Sequence, residues 1–381
     1  MKKAIILTMV LSMVLVSSPA LATTNGDITV GIGTGLTQDT SGGLNPIVKA
    51  KWEMNATKDA NNKYLGVDDD MTVPGAQFVP SGVKDVSKRI TICAVVTDPD
   101  GLADVTTDPG AVYADVFYPE NVDLGDSHYP LTNQSNLGCG KLMQEDKMTK
   151  LSKTDGIELF CNRVRNGQTE LTTFASPYNY DEICKADGEL QKETAAVFCA
   201  EKDLSYEDPA GMYKVWAVGS DKVGLQNILE NYFEYKPLTA FETDFSNINY
   251  GSVRLGTHKI INGDLSWGGL ASVRNIGNTR VNIGVKQDDM GFGKTNGNWN
   301  VQYDARIGNG EFDWAIYSPA YEQGYTATGS FTPLAKDLDL SELNEMDFSI
   351  LVNKFPPTHS GPYSGSMTLQ GTYVPHLVCG A

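Results

Sequence analysis

Three aspartates in one short stretch are the residues whose type and spacing come nearest to a metal site. Asp98, Asp100 and Asp104 surround Gly101 in the pattern D-x-D-G-x-x-D. Calcium accepts several carboxylate oxygens from a flexible loop, so this stretch predicts a calcium site. The alternative is a turn in which the aspartates bond their own backbone, because no Glu closes the loop at the twelfth position. Calcium is the one cofactor that the sequence suggests.

A run of aromatic side chains between residues 312 and 325 could bind a ligand. Exposed rings beside carboxylates bind sugars by stacking and hydrogen bonding, so glycans are candidate partners. Packing of the same rings into a hydrophobic core is the alternative. The candidate carbohydrate-binding residues are Trp314, Tyr317, Tyr321 and Tyr325.

Catalytic motifs are missing from the sequence. The stretch Gly361 to Gly365 misses the nucleophile motif G-x-S-x-G by one position, and neither H-E-x-x-H nor a phosphate-binding P-loop is present. The four histidines are isolated from one another. A polysaccharide hydrolase needs only two suitably spaced carboxylates, so it remains as a third hypothesis. The sequence favours a protein that is not an enzyme.

Six cysteines predict disulfide bonds, because the number is even and the chain carries an export signal, described below. Four of them lie between residues 139 and 199, so we expect these four to bond among themselves, in a pairing that the sequence leaves open. The other two then form the remaining pair or stay free. The first group is Cys139, Cys161, Cys184 and Cys199, and the second is Cys93 and Cys379.

Residues 1–22 have the pattern of a signal peptide. Lys2 and Lys3 precede an apolar run from Ala4 to Val16, and Ala20-Leu21-Ala22 is a cleavage motif. A spanning helix needs about 20 consecutive apolar residues, and this run ends at Ser17. No cysteine follows the cleavage site to accept a lipid. The sequence therefore predicts a secreted protein, extracellular or on the cell surface, without a transmembrane anchor.

Two short motifs are acceptors for N-linked glycans where the host has the machinery. They begin at Asn55 and Asn133.

The charge of the chain excludes one class of partner. Lys plus Arg number 30 and Asp plus Glu number 47, which gives a formal net charge of −17. A nucleic-acid site needs a concentrated positive field, so we expect no nucleic-acid partner. With 381 residues, 41% of them hydrophobic, the chain is large enough for about two domains.

Most of the chain alternates apolar and polar residues with the period of a β-strand. In one such run Val48, Ala50, Trp52 and Met54 alternate with Lys49, Lys51 and Glu53, which predicts a half-buried strand. Strands separated by turns without regular helices favour antiparallel β-sandwiches. We place one sandwich at residues 23–237 and a second at 238–381, with the boundary in the polar stretch around Pro237.

Residues 139–203 interrupt the strand pattern and predict a helical insertion in the first sandwich. Apolar residues at helical spacing begin near residue 156, with Asp155 as the expected cap. A second helix is predicted from Gly188 to Lys202.

The first residues of the mature chain form a possible self-association strand. Ile28, Val30 and Ile32 alternate with small or polar residues. Such a strand pairs with its own sheet or is donated to the open edge of a neighbouring molecule. Donation without closure would produce a filament.

Several turn sequences resemble those of immunoglobulin-like sandwiches in secreted surface proteins of prokaryotes, particularly archaea. They are Thr97 to Gly101, Asp208 to Tyr213, and the pair Val273 to Asn278 and Gly361 to Ser366. The resemblance implies a surface-exposed, non-catalytic role. The first hypothesis is thus a structural or interaction protein of the cell surface, with itself or other envelope components as partners. The second is a carbohydrate-binding or adhesive module.

Overall fold

The structure is a computed structural model, and it describes residues 43–65, 76–124, 138–164, 172–308, 331–357 and 361–379. Residues Gly42–Ala381 form one compact unit. The described chain is mainly β, with antiparallel sheets and short helices, which confirms the fold class predicted from the alternating pattern. The predicted signal peptide and the strand at residues 28–32 lie outside the described residues.

Two five-stranded sheets form the first sandwich. One has the order β6-β8-β3-β1-β7 and the other has the order β2-β10-β9-β4-β5. Neighbouring strands are antiparallel, except that β2 runs parallel to β10. The strands are β1 (Ile47–Asn55), β2 (Gln77–Phe78), β3 (Lys88–Thr97), β4 (Ala111–Phe117), β5 (Leu142–Lys147), β6 (Thr149–Lys150), β7 (Thr173–Phe174), β8 (Ala195–Leu204), β9 (Gly211–Ser220) and β10 (Gln226–Tyr235).

Between these two sheets lies a hydrophobic core. Alternate residues of each strand point inward, as the period of two requires. Ile90 and Ile92 of β3 belong to the same buried cluster as Val116 of β4 and Phe233 of β10. The sandwich is thus held by side chains that come from distant parts of the sequence.

A helical segment follows β6, as the sequence predicts. The helix Lys153–Ile157 continues as a π-helical stretch over Glu158–Val164. The cap is Ser152, whose side chain accepts a hydrogen bond from the backbone N–H of Asp155, so the prediction of Asp155 as cap was wrong. The other described helices are Ala103–Thr106, Tyr180–Cys184 and Glu189–Lys192. Within the described ranges, none of these helices has the length and apolar character to cross a bilayer.

The predicted helix from Gly188 to Lys202 is wrong. Only Glu189–Lys192 is helical, and Ala195–Leu204 is strand β8, which pairs with β3 along its whole length. Val197 and Phe198 are neighbours in sequence and both are buried. Since successive strand residues point to opposite faces, β8 is covered on both sides, and its sequence lacks the alternation typical of a half-buried strand.

The helical stretches at residues 153–164, 180–184 and 189–192 cover the outer face of the sheet that contains β1 and β3, and we call them the helical cover. Trp52 of β1 packs on Phe160 of the cover, with 5.0 Å between ring centroids. A second buried cluster at this face joins Val95 to Leu159 and Ile183. The two-sided burial corrects the prediction of a half-buried β1.

The second sandwich is built from the remaining strands. Its sheets have the orders β11-β13-β19-β12, with β17 also paired to β19, and β18-β14-β20. The strands β15 and β16 form a short hairpin. The bounds are β11 (Phe241–Thr243), β12 (His258–Ile261), β13 (Ser272–Asn275), β14 (Arg280–Gln287), β15 (Lys294–Thr295), β16 (Asn298–Trp299), β17 (Val301–Ile307), β18 (Thr332–Leu338), β19 (Leu343–Val352) and β20 (Met367–Val374).

The second sandwich has a hydrophobic cluster of its own. Ile283 of β14 belongs to it together with Phe348 and Ile350 of β19. Among the contacts that link it to the first sandwich, Leu340 belongs to the first cluster, and the backbone N–H of Ala210 donates to the carbonyl of Asn278 at 2.9 Å. The domain boundary near residue 238 stays a prediction.

The disulfides differ from the predicted grouping. Cys93 bonds to Cys199, which lies directly opposite on the neighbouring strand, and Cys139 bonds to Cys379 near the C-terminus. Only Cys161–Cys184 stays within the group of four, inside the helical cover. The expectation of a closed group of four, with Cys93 and Cys379 as the other pair, was wrong. Strand pairing joins cysteines 106 residues apart, and sequence proximity does not show it.

The loop lengths of two of these disulfides predict different contributions to stability. Cys93–Cys199 spans 106 residues and Cys161–Cys184 spans 23. On chain entropy alone, replacing both cysteines by Ser should cost about 5 kcal/mol for the first pair and about 3 kcal/mol for the second. Urea unfolding of the two double variants measures both values. An equal or larger loss for the Cys161–Cys184 variant would contradict the loop-entropy explanation.

Asp208, in the turn before β9, is a buried carboxyl group. Its Oδ2 accepts a hydrogen bond of 2.7 Å from the backbone N–H of Ser205, and burial raises its pKa to about 6. A carboxyl whose pKa is higher in the folded state holds its proton more tightly there than in the unfolded chain. Folding is therefore favoured at low pH, and this contribution is lost as the pH rises from about 4 to about 6.

Substitution of Asp208 tests this linkage. Asp208→Asn keeps a hydrogen-bond acceptor and cannot ionise, so the stability of the variant relative to wild type should increase by up to about 3 kcal/mol between pH 4 and pH 7. Urea unfolding of both proteins across this range gives the difference between their free energies of unfolding. Other titrating groups, such as Asp115, contribute equally to both proteins, so their contributions cancel in this difference. A constant difference would show that Asp208 does not titrate there.

Candidate functional site

An open groove lies in the second sandwich between the edge strands β11 and β20. It consists of two adjoining cavities of about 460 and 500 Å³. Among the described residues, β11 pairs only with β13, and β20 pairs only with β14. Its lining includes the side chains of Phe241, Thr243, Phe245, Tyr250, Met290, Phe292, Tyr363, Met367 and Leu369.

One end of the groove is closed by the packing of Phe241 on β20. A Cβ atom at Gly371 would lie 2.8 Å from Cδ1 of Phe241, so glycine is required for the two edge strands to approach here. Near the other end, Asp288 fixes the turn into β20. Its carboxylate accepts hydrogen bonds from the backbone N–H groups of Met290 and Ser366, at 3.0 and 2.8 Å. The groove is therefore held open between two anchored ends.

The groove is uncharged, although the chain carries a net charge of −17. Its described lining contains aromatic and aliphatic side chains together with amides and hydroxyls, and no Asp, Glu, Lys or Arg. Phe292 and Tyr363 pack with 4.5 Å between ring centroids. Tyr250 is buried, and burial raises the pKa of its hydroxyl, so the ring stays neutral. Such a surface suits a neutral ligand with apolar side chains.

The aspartates predicted to bind calcium have other contacts. Oδ1 of Asp98 accepts a hydrogen bond of 2.8 Å from the backbone N–H of Asp100, and Oδ1 of Asp104 pairs with Nζ of Lys222 at 2.9 Å. Oδ2 of Asp100 accepts from the backbone N–H of Leu44. The contact of Asp98 is of the kind that the turn alternative expects, whereas Asp100 and Asp104 contact residues outside the loop. In the part of the chain that the structure describes, no three His, Cys, Asp or Glu side chains are grouped as metal ligands. Calcium binding stays a prediction of the sequence.

Several other predicted site residues fall outside the described residues. They are the aromatic candidates Trp314, Tyr317, Tyr321 and Tyr325, the strand residues Ile28, Val30 and Ile32, and the glycosylation acceptor Asn133.

The other predicted glycosylation acceptor is unsuitable. Asn55 ends strand β1 and is 5% exposed. A glycan is bulky and needs a surface position, so the folded chain does not present this side chain for modification.

Sequence reasoning missed a polar cluster inside the first sandwich. Lys51 and Glu53 of β1 are both fully buried, and they face Asn231 of β10 in the opposite sheet. Nζ of Lys51 lies 2.5 Å from Oε1 of Glu53. The signal in the sequence is two opposite charges two residues apart in a strand whose other residues are mostly apolar, which places both on one face.

No known protein family matches the sequence, and no curated protein matches it. Solved structures overlap with it only weakly. The C-terminal domain of the Streptococcus pyogenes antigen I/II-family protein AspA has 12% identity and a TM-score of 0.21, over 86% of this chain and 97% of that one. The Streptococcus agalactiae BspA C-terminal domain has 10% identity and a TM-score of 0.18, over 86% of this chain and 96% of that one. The secreted serine protease VesC from Vibrio cholerae has 10% identity and a TM-score of 0.17, over 79% of this chain and 50% of that one. At these scores the overlaps carry no conclusion about this chain.

Proposed function

We propose that the chain is a secreted, non-catalytic protein of the cell surface that associates with further copies of itself. The observation that carries the proposal is the uncharged groove between two edge strands. An edge strand offers unpaired backbone N–H and C=O groups, and an apolar groove beside it can take every second side chain of an added strand.

The proposed occupant is the segment that contains Ile28, Val30 and Ile32 in a second copy. Its apolar residues alternate with Thr and Gly, and the stretch from Ile28 to Gly35 has no charged side chain. An uncharged strand matches an uncharged groove, whereas a charged side chain in the groove would lose its hydration without gaining an ionic partner. Binding of each N-terminal segment by the next copy is a head-to-tail contact and builds a filament.

Export supports this proposal. The structure has three disulfides, and disulfides persist in oxidising compartments outside the cytosol. The signal-peptide pattern of residues 1–22 points to the same location.

A carbohydrate-binding role is the second candidate. The ring pair Phe292–Tyr363 and the amides of Asn247, Asn249 and Gln287 line the same groove, and sugars bind to aromatic faces and amides. The two candidates differ in what the groove binds, so one surface can be tested for both.

Removal of the N-terminal segment tests self-association. A mature chain that lacks residues 23–36 should remain soluble and monomeric, because it has lost the donated strand and kept the groove. Electron microscopy and light scattering should find polymers in the intact mature protein and none after the truncation. Polymers that persist in the truncated chain would exclude this segment as the donor.

A charge introduced into the groove tests the acceptor. A peptide of residues 24–35 should bind the truncated chain, and Met367→Lys should weaken that binding about tenfold or more, because an ammonium group would be desolvated without a partner. Gln370→Lys is the matched control, since Gln370 lies on the same strand, is exposed and does not line the groove. Calorimetric titration measures the affinity of both variants for the peptide. An equal loss in the two variants, or binding of glycans instead of the peptide, would contradict the proposed acceptor.

A further inference from the structure

The polar cluster in the first sandwich brings together an amine, a carboxyl group and a carboxamide. Strand β1 supplies Lys51 and Glu53, and strand β10 of the facing sheet supplies Asn231. The next strand from β1 places Ala94 and Ile92 opposite Lys51 and Glu53, so the cluster adjoins the apolar core. Lys51 and Glu53 are each 0% exposed.

The three side chains form a closed ring of contacts. Oε1 of Glu53 lies 2.5 Å from Nζ of Lys51, and Oε2 of Glu53 accepts a hydrogen bond of 2.8 Å from Nδ2 of Asn231. Nζ of Lys51 is also in direct contact with Oδ1 of Asn231. One carboxyl group thus touches both the amine and the amide nitrogen, and the amine touches the amide carbonyl.

Burial favours the form of the amine that reacts. A lysine attacks a carbonyl carbon only as the neutral amine, and desolvation disfavours the charged form. Burial lowers the pKa of Lys51, although the negative charges of Glu53 and Glu230 act in the opposite direction. A buried ion pair is costly, and transfer of one proton from Lys51 to Glu53 converts it into a neutral pair of the same total charge.

We propose that Lys51 and Asn231 form an intramolecular amide bond between Nζ and Cγ, with Glu53 as the catalytic proton carrier. The bond between Nζ and Cγ forms, the bond between Cγ and Nδ2 of Asn231 breaks, and one molecule of ammonia leaves. No oxidant, reductant or co-reactant is needed.

The protons balance through the two oxygens of Glu53. The neutral amine attacks Cγ while the protonated carboxyl group gives its proton to Nδ2, the leaving nitrogen. The attacking nitrogen then returns one proton to the carboxylate, so Glu53 ends as it began. The contact of Oε1 with the amine and of Oε2 with the amide nitrogen is the arrangement that this exchange requires. The apolar surroundings limit access of water, which would otherwise compete as nucleophile.

The second sandwich contains the same three residue types without the burial. Nζ of Lys336 lies 2.7 Å from Oε1 of Glu342, and the amide nitrogen of Asn344 donates to the same oxygen. The Lys336 side chain is 46% exposed, so it lacks the burial that surrounds Lys51, and we expect no reaction there. This trio is an internal control for the requirement of burial.

The mass of the intact protein tests the proposal directly. After reduction of the disulfides, the mature wild-type chain should be lighter than its sequence mass by about 17 Da, the loss of one ammonia. Digestion should release one branched peptide that joins the sequence around Lys51 to the sequence around Asn231. A folded protein with the full sequence mass would overturn the proposal. A deficit carried by a linear peptide, such as a succinimide at Asn231, would also overturn it.

Variants separate the chemistry from folding. Glu53→Gln removes the proton carrier and Lys51→Met removes the nucleophile, so each should restore the full sequence mass. Asn227→Ala is the matched control: Asn227 lies on the same strand and also contacts β1, through the backbone N–H of Val48, and this variant should keep the deficit. Lys336→Arg should keep it as well. Circular dichroism shows whether each variant is folded. A mass deficit that persists in Glu53→Gln or Lys51→Met would contradict the roles of Glu53 as proton carrier and Lys51 as nucleophile.

Discussion

Burial of one sheet on both faces is the constraint on which the rest of the structure depends. The sheet of β1, β3 and β8 packs on the opposite sheet with one face and beneath the helical cover with the other. Gly156 makes the close approach of the cover possible, because a Cβ atom there would lie 3.2 Å from Cγ2 of Val197 on β8. A charged side chain that is buried between these layers needs a partner inside the protein. Lys51, Glu53 and Asn231 solve this requirement together, and the result is a cluster in which a reaction can occur.

The same constraint explains which parts of the fold the sequence predicts. In strands with one solvent-exposed face, apolar and polar residues alternate clearly, and this alternation predicts the mainly β class. Strand β8 has buried neighbours at Val197 and Phe198, so it shows no alternation and was mistaken for a helix. The helix near residue 156 was found because its apolar face has helical spacing on one side only. The disulfide between Cys93 and Cys199 was missed because it depends on β3 and β8 being neighbours, which is a non-local property.

The two sites differ in how much the sequence could show. The groove is lined by residues from separate stretches around 241–250, 287–292 and 362–369, and only the edge positions of β11 and β20 bring them together. No local pattern predicts which strands end at an edge. The buried cluster has a partial signal, since Lys51 and Glu53 share one face of an otherwise largely apolar strand. Asn231 is 180 residues from Lys51, and only the facing of the two sheets makes it their partner.

Hydrogen exchange of the native protein tests the two-sided burial most directly, because amides in doubly covered strands exchange only through large opening motions. We expect the peptides of β1 and β3 to be the last to exchange among the described strands. The peptide of the edge strand β20 should exchange much earlier. Exchange of β1 and β3 as fast as β20 would contradict the claim that this sheet is covered on both faces.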